Sequence, residues 1–220
     1  MAIASGEMVA LVGANGAGKS TLIRTLLDLR ALDAGLIAIE GQPHTEPRAR
    51  DRIAYLPERF QPAYFMHGRE FIAYMLALYG ANPGADEIEC QCGYLGLVPD
   101  ALDKSVQTYS KGMSQMLGLA ACLLSGRPIL VLDEPMSGLD PTARVRLQRA
   151  LRAHRDNGGT ILFTTHLLAD AEALADRVAV LHDGRIVADG SPDELKARYR
   201  VDDLEAVFVE CVGGVDRVAS

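Results

Sequence analysis

GANGAGKST, residues Gly13 to Thr21, follows an apolar run from Met8 to Val12 and opens a segment, Lys19 to Arg30, that carries Leu22, Leu26 and Leu29 at helical spacing. A buried strand, a glycine-rich loop and a helix are the context that the pattern GxxxxGKS requires of a phosphate cradle. Gly13, Gly16 and Gly18, with Asn15 and Ala17 between them, let the backbone curl closely round a polyphosphate. Successive N–H groups then meet its oxygens at a helix N-terminus whose dipole favours negative charge. Lys19 is placed to reach the β- and γ-phosphates, Ser20 offers a hard hydroxyl oxygen to Mg²⁺, and Thr21 adds a hydrogen bond to the phosphates. The loop names a nucleotide without saying which class of NTPase holds it.

A chain of 220 residues with 49% hydrophobic content can bury one substantial core and a small inserted subdomain. Lysines and arginines number 22 against 29 acids, a net charge of -7, which argues against a nucleic acid partner held by bulk positive charge. No run approaches the roughly 18 to 20 apolar residues of a membrane span, and the N-terminus lacks the basic and apolar regions of a secretory signal, so a cytoplasmic location is expected. Cys90, Cys92, Cys122 and Cys211 lack the doubled CxxC spacing of a zinc site and are expected to be thiols.

Beyond the first helix, Asp33 to Gly35 reads as a turn and Leu36 to Glu40 as a strand ended by Gly41, Gln42 and Pro43. Residues 44–52 are polar and loop-like. Ile53 to Leu56 is a short strand stopped by Pro57, which puts Glu58 just past its carboxyl end. From Phe60 to about Ser125 the pattern turns helical, and half of the chain's twelve aromatics crowd between Phe60 and Tyr79, marking an insertion. Arg69 to Tyr79 is apolar on nearly all sides, so this helix is either fully buried or covered by a partner, with Gly80 as its cap. Asp86 to Leu97 and Ser114 to Leu124 read as two further helices.

Ile129 to Leu132 fits a buried parallel strand and ends in Asp133, Glu134 and Pro135; two acids at such an end are costly unless used. Ser137 to Pro141 is a turn that opens a helix with Ala143, Leu147, Ala150 and Leu151 on one face. Arg144, Arg146, Arg149, Arg152 and Arg155 line the rest and read as a solvated face. Gly158 and Gly159 end that helix, Thr160 to Thr165 is the next strand, and His166 stands just past it. Val178 to Leu181 and Arg185 to Val187 flank His182, Asp183 and Gly184, a hairpin signature. A short helix from Pro192 to Tyr199 and a segment from Leu204 to Val209 finish the chain.

Strands alternating with helices predict an α/β fold with a mostly parallel sheet, and such sheets bind ligands outside the carboxyl ends of their strands. The glycine loop, Glu58, Asp133, Glu134 and His166 all occupy such ends. In that position Asp133 holds Mg²⁺ directly or through water, Glu134 polarises the water that attacks the γ-phosphate, and His166 contacts the γ-phosphate.

The order of these motifs resembles the ATP-binding cassette (ABC) ATPase subunits, and the resemblance covers the chain from Ser5 onward. The family's phosphate loop matches Gly13 to Thr21, its acidic strand ILVLDEP (Ile129 to Pro135), its next turn SGLD (Ser137 to Asp140) and its switch histidine His166. YSKGM, Tyr109 to Met113, stands where the family carries its LSGGQ signature, an element other P-loop NTPase classes lack. The resemblance implies a P-loop NTPase core at 1–59 and 126–190, a helical subdomain at 60–125 carrying the signature, and a C-terminal extension at 191–220, all within one domain. It further implies ATP and Mg²⁺, with Ser20, Asp133 and Glu58 near the metal. Two copies would sandwich two ATP molecules head to tail, so that Ser110 and Gly112 of one copy grip the phosphate in the other and Asp140 lies at the seam. The resemblance extends to exporter subunits that pair with separate integral membrane subunits of the ABC-2 type, held at the cytoplasmic face of the membrane. The segment Phe60 to Tyr79 would then help form the groove for the partner's cytoplasmic helix.

Three departures from the family pattern bear on these expectations. Lys111 replaces the first signature glycine and Met113 the glutamine, while Ser110 and Gly112 survive. Glu58 replaces a glutamine, adding negative charge beside two acids and altering the pace of hydrolysis. The family's opening antiparallel strands, with their adenine-stacking aromatic, do not fit before Gly13, so a truncated antiparallel β subdomain and an ATP affinity weaker by about ten- to a hundredfold are expected. Two other functions compete: a soluble ABC-type ATPase of a non-transport assembly, and a non-hydrolysing module that binds partners in response to ATP. No NKxD motif supports a GTPase.

Overall fold

Met8–Val12 form β1, every residue of it buried, and it lies in the middle of the sheet because both of its faces are covered. The computed structural model describes residues 1–218. After β1 come α1 (Lys19–Leu26), β2 (Ala38–Ile39), β3 (Gln42–Pro43), α2 (Pro47–Arg50) and β4 (Ile53–Leu56). The helical stretch follows, with α3 (Gly68–Tyr79), α4 (Ala85–Tyr94), α5 (Pro99–Leu102) and α6 (Lys111–Leu124). The chain then returns to the sheet through β5 (Ile129–Leu132), α7 (Pro141–Asp156), β6 (Thr160–Thr165), α8 (Leu168–Leu174), β7 (Arg177–His182) and β8 (Arg185–Gly190). It ends with α9 (Pro192–Tyr199) and α10 (Leu204–Val218).

Six strands pair in the order β4-β5-β6-β1-β7-β8, all parallel except β8 against β7. This is the expected α/β architecture. Register decides where the chemistry falls: Val12 lies beside Thr165, Leu132 beside Phe163, and Leu56 beside Leu132. The residues following each strand therefore emerge side by side at one edge of the sheet.

Alternation along the strands splits the core. Met8, Ala10, Val12, Leu130, Leu132, Ile161 and Phe163 face the helices of the 60–125 stretch and α7, while Val9, Leu11 and Leu162 face α1. In α6, Leu117 and Leu119 are wholly buried, each burial contributing about 1.5–3 kcal/mol, and this anchors the helix on β4.

Several boundaries differ from the sequence reading. The first helix stops at Leu26 because Asp28 turns left-handed (φ 58), leaving Leu29 exposed. The 36–40 strand shrinks to β2, whose two residues pair only with β3, and the loop at 44–52 contains the one-turn α2. The signature helix begins at Lys111 rather than Ser114, since Ser110 caps it by accepting from the Met113 N–H. The 204–209 segment is the start of α10. In α3, Phe71, Ile72 and Leu76 are buried whereas Tyr74 and Leu78 are exposed, so the helix has one core face and one open face.

The arginines of α7 do more than meet solvent. Arg144 pairs with Asp170, Arg155 with Asp176, and Arg152 donates to the carbonyl of Ala173, tying α7 to α8 and the start of β7. The hairpin between β7 and β8 closes through Asp183 and Gly184, both left-handed, as the DG pair predicts. All four cysteines are free thiols. Residues 219 and 220, which close the expected C-terminal extension, lie outside the described residues.

Candidate functional site

The loop from Gly13 to Gly18 leaves β1 and enters α1, whose first-turn N–H groups have no acceptor within the helix. Two observations show a loop backbone that depends on glycine and is packed against the β7–β8 hairpin. A Cβ at Gly13 would lie 2.5 Å from the Leu181 carbonyl oxygen, so no side chain fits there. Gly16 and Gly18 sit at φ 87 and 109, and the N–H of Gly184 braces the loop by donating to the Ala17 carbonyl at 3.1 Å. Ala17 is buried, while Asn15 is exposed along the loop's outer side. Ser20 and Thr21 follow Lys19 in the first turn of α1.

Lys19 organises the cradle. Its ammonium donates to the Gly13 carbonyl at 2.7 Å and lies 3.4 Å from Glu134 Oε1, with the side chain only 7% exposed. The other Glu134 oxygen, Oε2, is 2.8 Å from His166 Nδ1. Three residues far apart in the chain thus meet because β1, β5 and β6 end in line. Glu134 holds a left-handed backbone (φ 51), a conformation that costs an L-residue about 1–2 kcal/mol and that here aims the carboxylate between Lys19 and His166.

Asp133 is buried, and its backbone N–H donates to the Leu56 carbonyl at 2.8 Å, continuing the β4–β5 pairing by one bond. Glu58 is exposed at the end of β4. Burial pushes the Tyr55 hydroxyl up from its ordinary pKa; the Asp133 charge adds to this, Arg24 opposes it and Glu58 adds again.

Sequence reasoning missed the residue that joins the two acids. Thr164, fully buried, donates its hydroxyl to Asp133 Oδ1 at 2.6 Å and accepts from the Glu134 N–H at 2.8 Å. A polar residue one place from the carboxyl end of an apolar strand was the available signal. Thr164→Val leaves both groups buried without a partner, at about 1–3 kcal/mol. The expected result is a melting temperature lower by roughly 2–10 °C, read by calorimetry or circular dichroism. An unchanged Tm would mean that the bridge contributes nothing.

Asp170 was also missed. It lies buried on α8, with Oδ1 3.2 Å from Arg144 and Oδ2 without a hydrogen-bond partner among the described residues. Burial pushes its carboxyl up, Arg144 opposes that shift, and the Glu134 charge reinforces it.

The signature segment stands apart from this cluster. No hydrogen bond among the described residues joins Ser110 or Gly112 to the Lys19 cradle; Ser110 caps α6 at an exposed position. Tyr109 pins the segment by donating its hydroxyl to the Ala101 carbonyl at 2.6 Å. Asp140 caps α7, accepting from the N–H groups of Thr142 and Ala143 at 2.9 and 3.0 Å, and is exposed.

A family model described as ABC transporter matches residues 1–137. An ABC transporter ATP-binding protein of Synechocystis sp. is 36% identical over 198 residues, which cover 89% of this chain but 56% of that protein, so the chain spans little more than half of its length. The Nod factor export ATP-binding protein I of Rhizobium sp. is 38% identical, with 96% of this chain and 69% of that protein covered. A solved structure of the ATP-binding subunit of an ABC transporter superposes with a TM-score of 0.86 at 32% identity, covering 96% of this chain and 90% of that one. With the family's phosphate loop, acidic strand end and histidine converging on one edge of the same sheet, the chain belongs to the ABC transporter family of ATP-binding cassettes.

Proposed function

We propose that the chain binds ATP with Mg²⁺ and hydrolyses it as half of a head-to-tail homodimer that drives a separate integral membrane subunit of the ABC-2 exporter type. The observation that carries this reading is Glu134 suspended between Lys19 and His166, at 3.4 and 2.8 Å. A carboxylate so placed can receive a proton from an attacking water, while its neighbours fix its orientation. His166 donates where charge develops on the terminal phosphate, and Lys19 exchanges loop carbonyls for phosphate oxygens.

The donor set fits Mg²⁺, which takes hard oxygens and keeps several waters of its own, so one hydroxyl and one or two carboxylates suffice. Ser20 and Asp133 would hold it, with Glu58 nearby, and bound there it would neutralise phosphate charge. The head-to-tail arrangement is supported by Ser110 and Asp140, exposed caps of α6 and α7, and by Gly112 in the first turn of α6, none of them hydrogen-bonded to the cradle of their own copy among the described residues. The exporter assignment draws on the Nod factor export relative and on the form YSKGM.

No helix among the described residues is long and apolar enough to cross a membrane, and this reading assigns the membrane step to the partner. Its cytoplasmic helix would meet the groove of about 270 Å³ lined by Glu58, Phe60, Tyr64 and Tyr109, beside the exposed Phe65. The chain would then work at the cytoplasmic face, and the division into a 1–59 plus 126–190 core, a 60–125 helical subdomain and a 191–220 extension follows the same reading.

Phosphate release from ATP tests the proposal. Turnover is expected with Mg²⁺ and should fall by about 100-fold or more when EDTA removes it. Equal rates in EDTA, or no turnover with Mg²⁺ at all, would overturn hydrolysis and favour a non-hydrolysing module.

A further inference from the structure

Lys111 is the first residue of α6, where a cation opposes the helix dipole. Its side chain does not simply extend into water. The ammonium donates to Ser137 Oγ at 3.4 Å, across 26 residues of sequence, and the stem lies along the turn that follows Glu134. A Cβ added to Gly138 would come within 3.2 Å of Lys111 Cδ and Nζ, and Gly138 has φ 75, so this turn keeps a bare backbone where the lysine crosses it. One residue on, Leu139 closes over Gly112, with Cδ2 3.5 Å from where a Cβ would stand.

The turn is also tied backwards. The Ser137 N–H donates to the Glu134 carbonyl at 3.1 Å, and Glu134 carries the carboxylate held between Lys19 and His166. On the other side Lys111 adjoins Ser110, and it shares the wall of the groove that contains Glu58. A continuous run of contacts, Glu134 to Ser137 to Lys111 to Ser110, thus links the group that acts on this copy's own phosphate with the group proposed to grip the partner's.

We propose that Lys111 is a positioning residue that couples the two ATP sites of the dimer, by holding the signature segment to the turn after Glu134 within one copy. The inference rests on the head-to-tail reading above and adds a role for the residue that departs from the signature pattern. A shift of Glu134 as its own phosphate is cleaved moves Ser137, and Lys111 passes that movement to Ser110, loosening the neighbouring site. Coupling of this kind needs only a small difference between two arrangements of one turn.

The test uses the full chain and reads phosphate release against ATP concentration. The unaltered protein should show a Hill coefficient between 1 and about 2, the number of coupled sites. Lys111→Met and Ser137→Ala should each bring it to about 1, and the double variant should go no further, because both remove the same link. Lys111→Arg, which keeps a donor of similar reach, should retain it. Binding of a fluorescent ATP analogue to the cradle should change less than about twofold in all four, which separates lost coupling from misfolding. Cooperativity that survives in Lys111→Met, effects that add in the double variant, or an unaltered protein with a Hill coefficient of 1 would each overturn the inference. Size-exclusion chromatography of Glu134→Gln with ATP checks the parent reading on its own. A dimer there alongside undiminished cooperativity in Lys111→Met would discard only the role of Lys111, whereas no dimer would discard both.

Discussion

Glu134→Gln is expected to bind ATP as tightly as the unaltered chain while turning it over about 10²- to 10⁴-fold more slowly. The substitution keeps the length of the side chain and a carbonyl oxygen that can accept from His166 Nδ1, so the 2.8 Å contact survives. What disappears is the negative charge proposed to receive a proton. Loss of that charge also frees Lys19, now 3.4 Å from Oε1, to serve phosphate alone, which is why affinity should hold. The left-handed backbone at this position is as accessible to glutamine as to glutamate, so stability should change little. With the γ-phosphate uncleaved, the two copies should remain joined, and ATP should convert the variant into a stable dimer on a sizing column. Undiminished phosphate release would remove Glu134 from the role of base and leave His166 or Asp133 to be tested in its place.

The parts of this site that were legible in the sequence are those with local causes. The cradle, the acids ending β5 and the histidine after β6 each sit beside a strand whose apolar run announces itself, and β6 and α9 have the bounds that the pattern predicts. For α9 the reason is plain: Ser191 caps Glu194 and Glu194 reaches back to the Ser191 N–H, a reciprocal pair encoded within four residues. Thr164 was passed over because its two partners lie 30 and 31 residues away, just past a neighbouring strand whose register no local pattern sets. The same holds for Arg144, which reads as solvated on a helical wheel and pairs with Asp170 only once α8 packs against α7. The overlong first helix has a third cause: the chain turns left-handed at Asp28, where the Leu29 N–H closes the helix on the Arg24 carbonyl, and no glycine stands there to announce the stop.

A mixture of two crippled copies should regain activity that neither has alone. Lys19→Ala removes the cation at the phosphate loop. Ser110→Asp retains an oxygen that caps α6, because aspartate replaces serine well at that position, but sets a negative charge where the resemblance puts a phosphate. Each variant alone has both of its shared sites broken and should lose about 100-fold or more in rate. In a mixed dimer, one site receives both lesions and the other receives neither, pairing the intact Lys19 of one copy with the intact Ser110 of the other. Random assortment makes about half of all dimers mixed, each with one sound site of two, so the equimolar mixture should recover up to about a quarter of the original rate. The recovery separates two geometries that a single copy cannot distinguish. If Ser110 served the cradle of its own chain, every mixed dimer would still hold one broken element at each site, and the mixture would stay at the level of its parents. The shared arrangement is the one expected, because the exposed Ser110 caps α6 on a segment fixed by Tyr109 and Lys111 and, like Gly112 in the first turn of that helix, has no bond to the Lys19 cradle among the described residues.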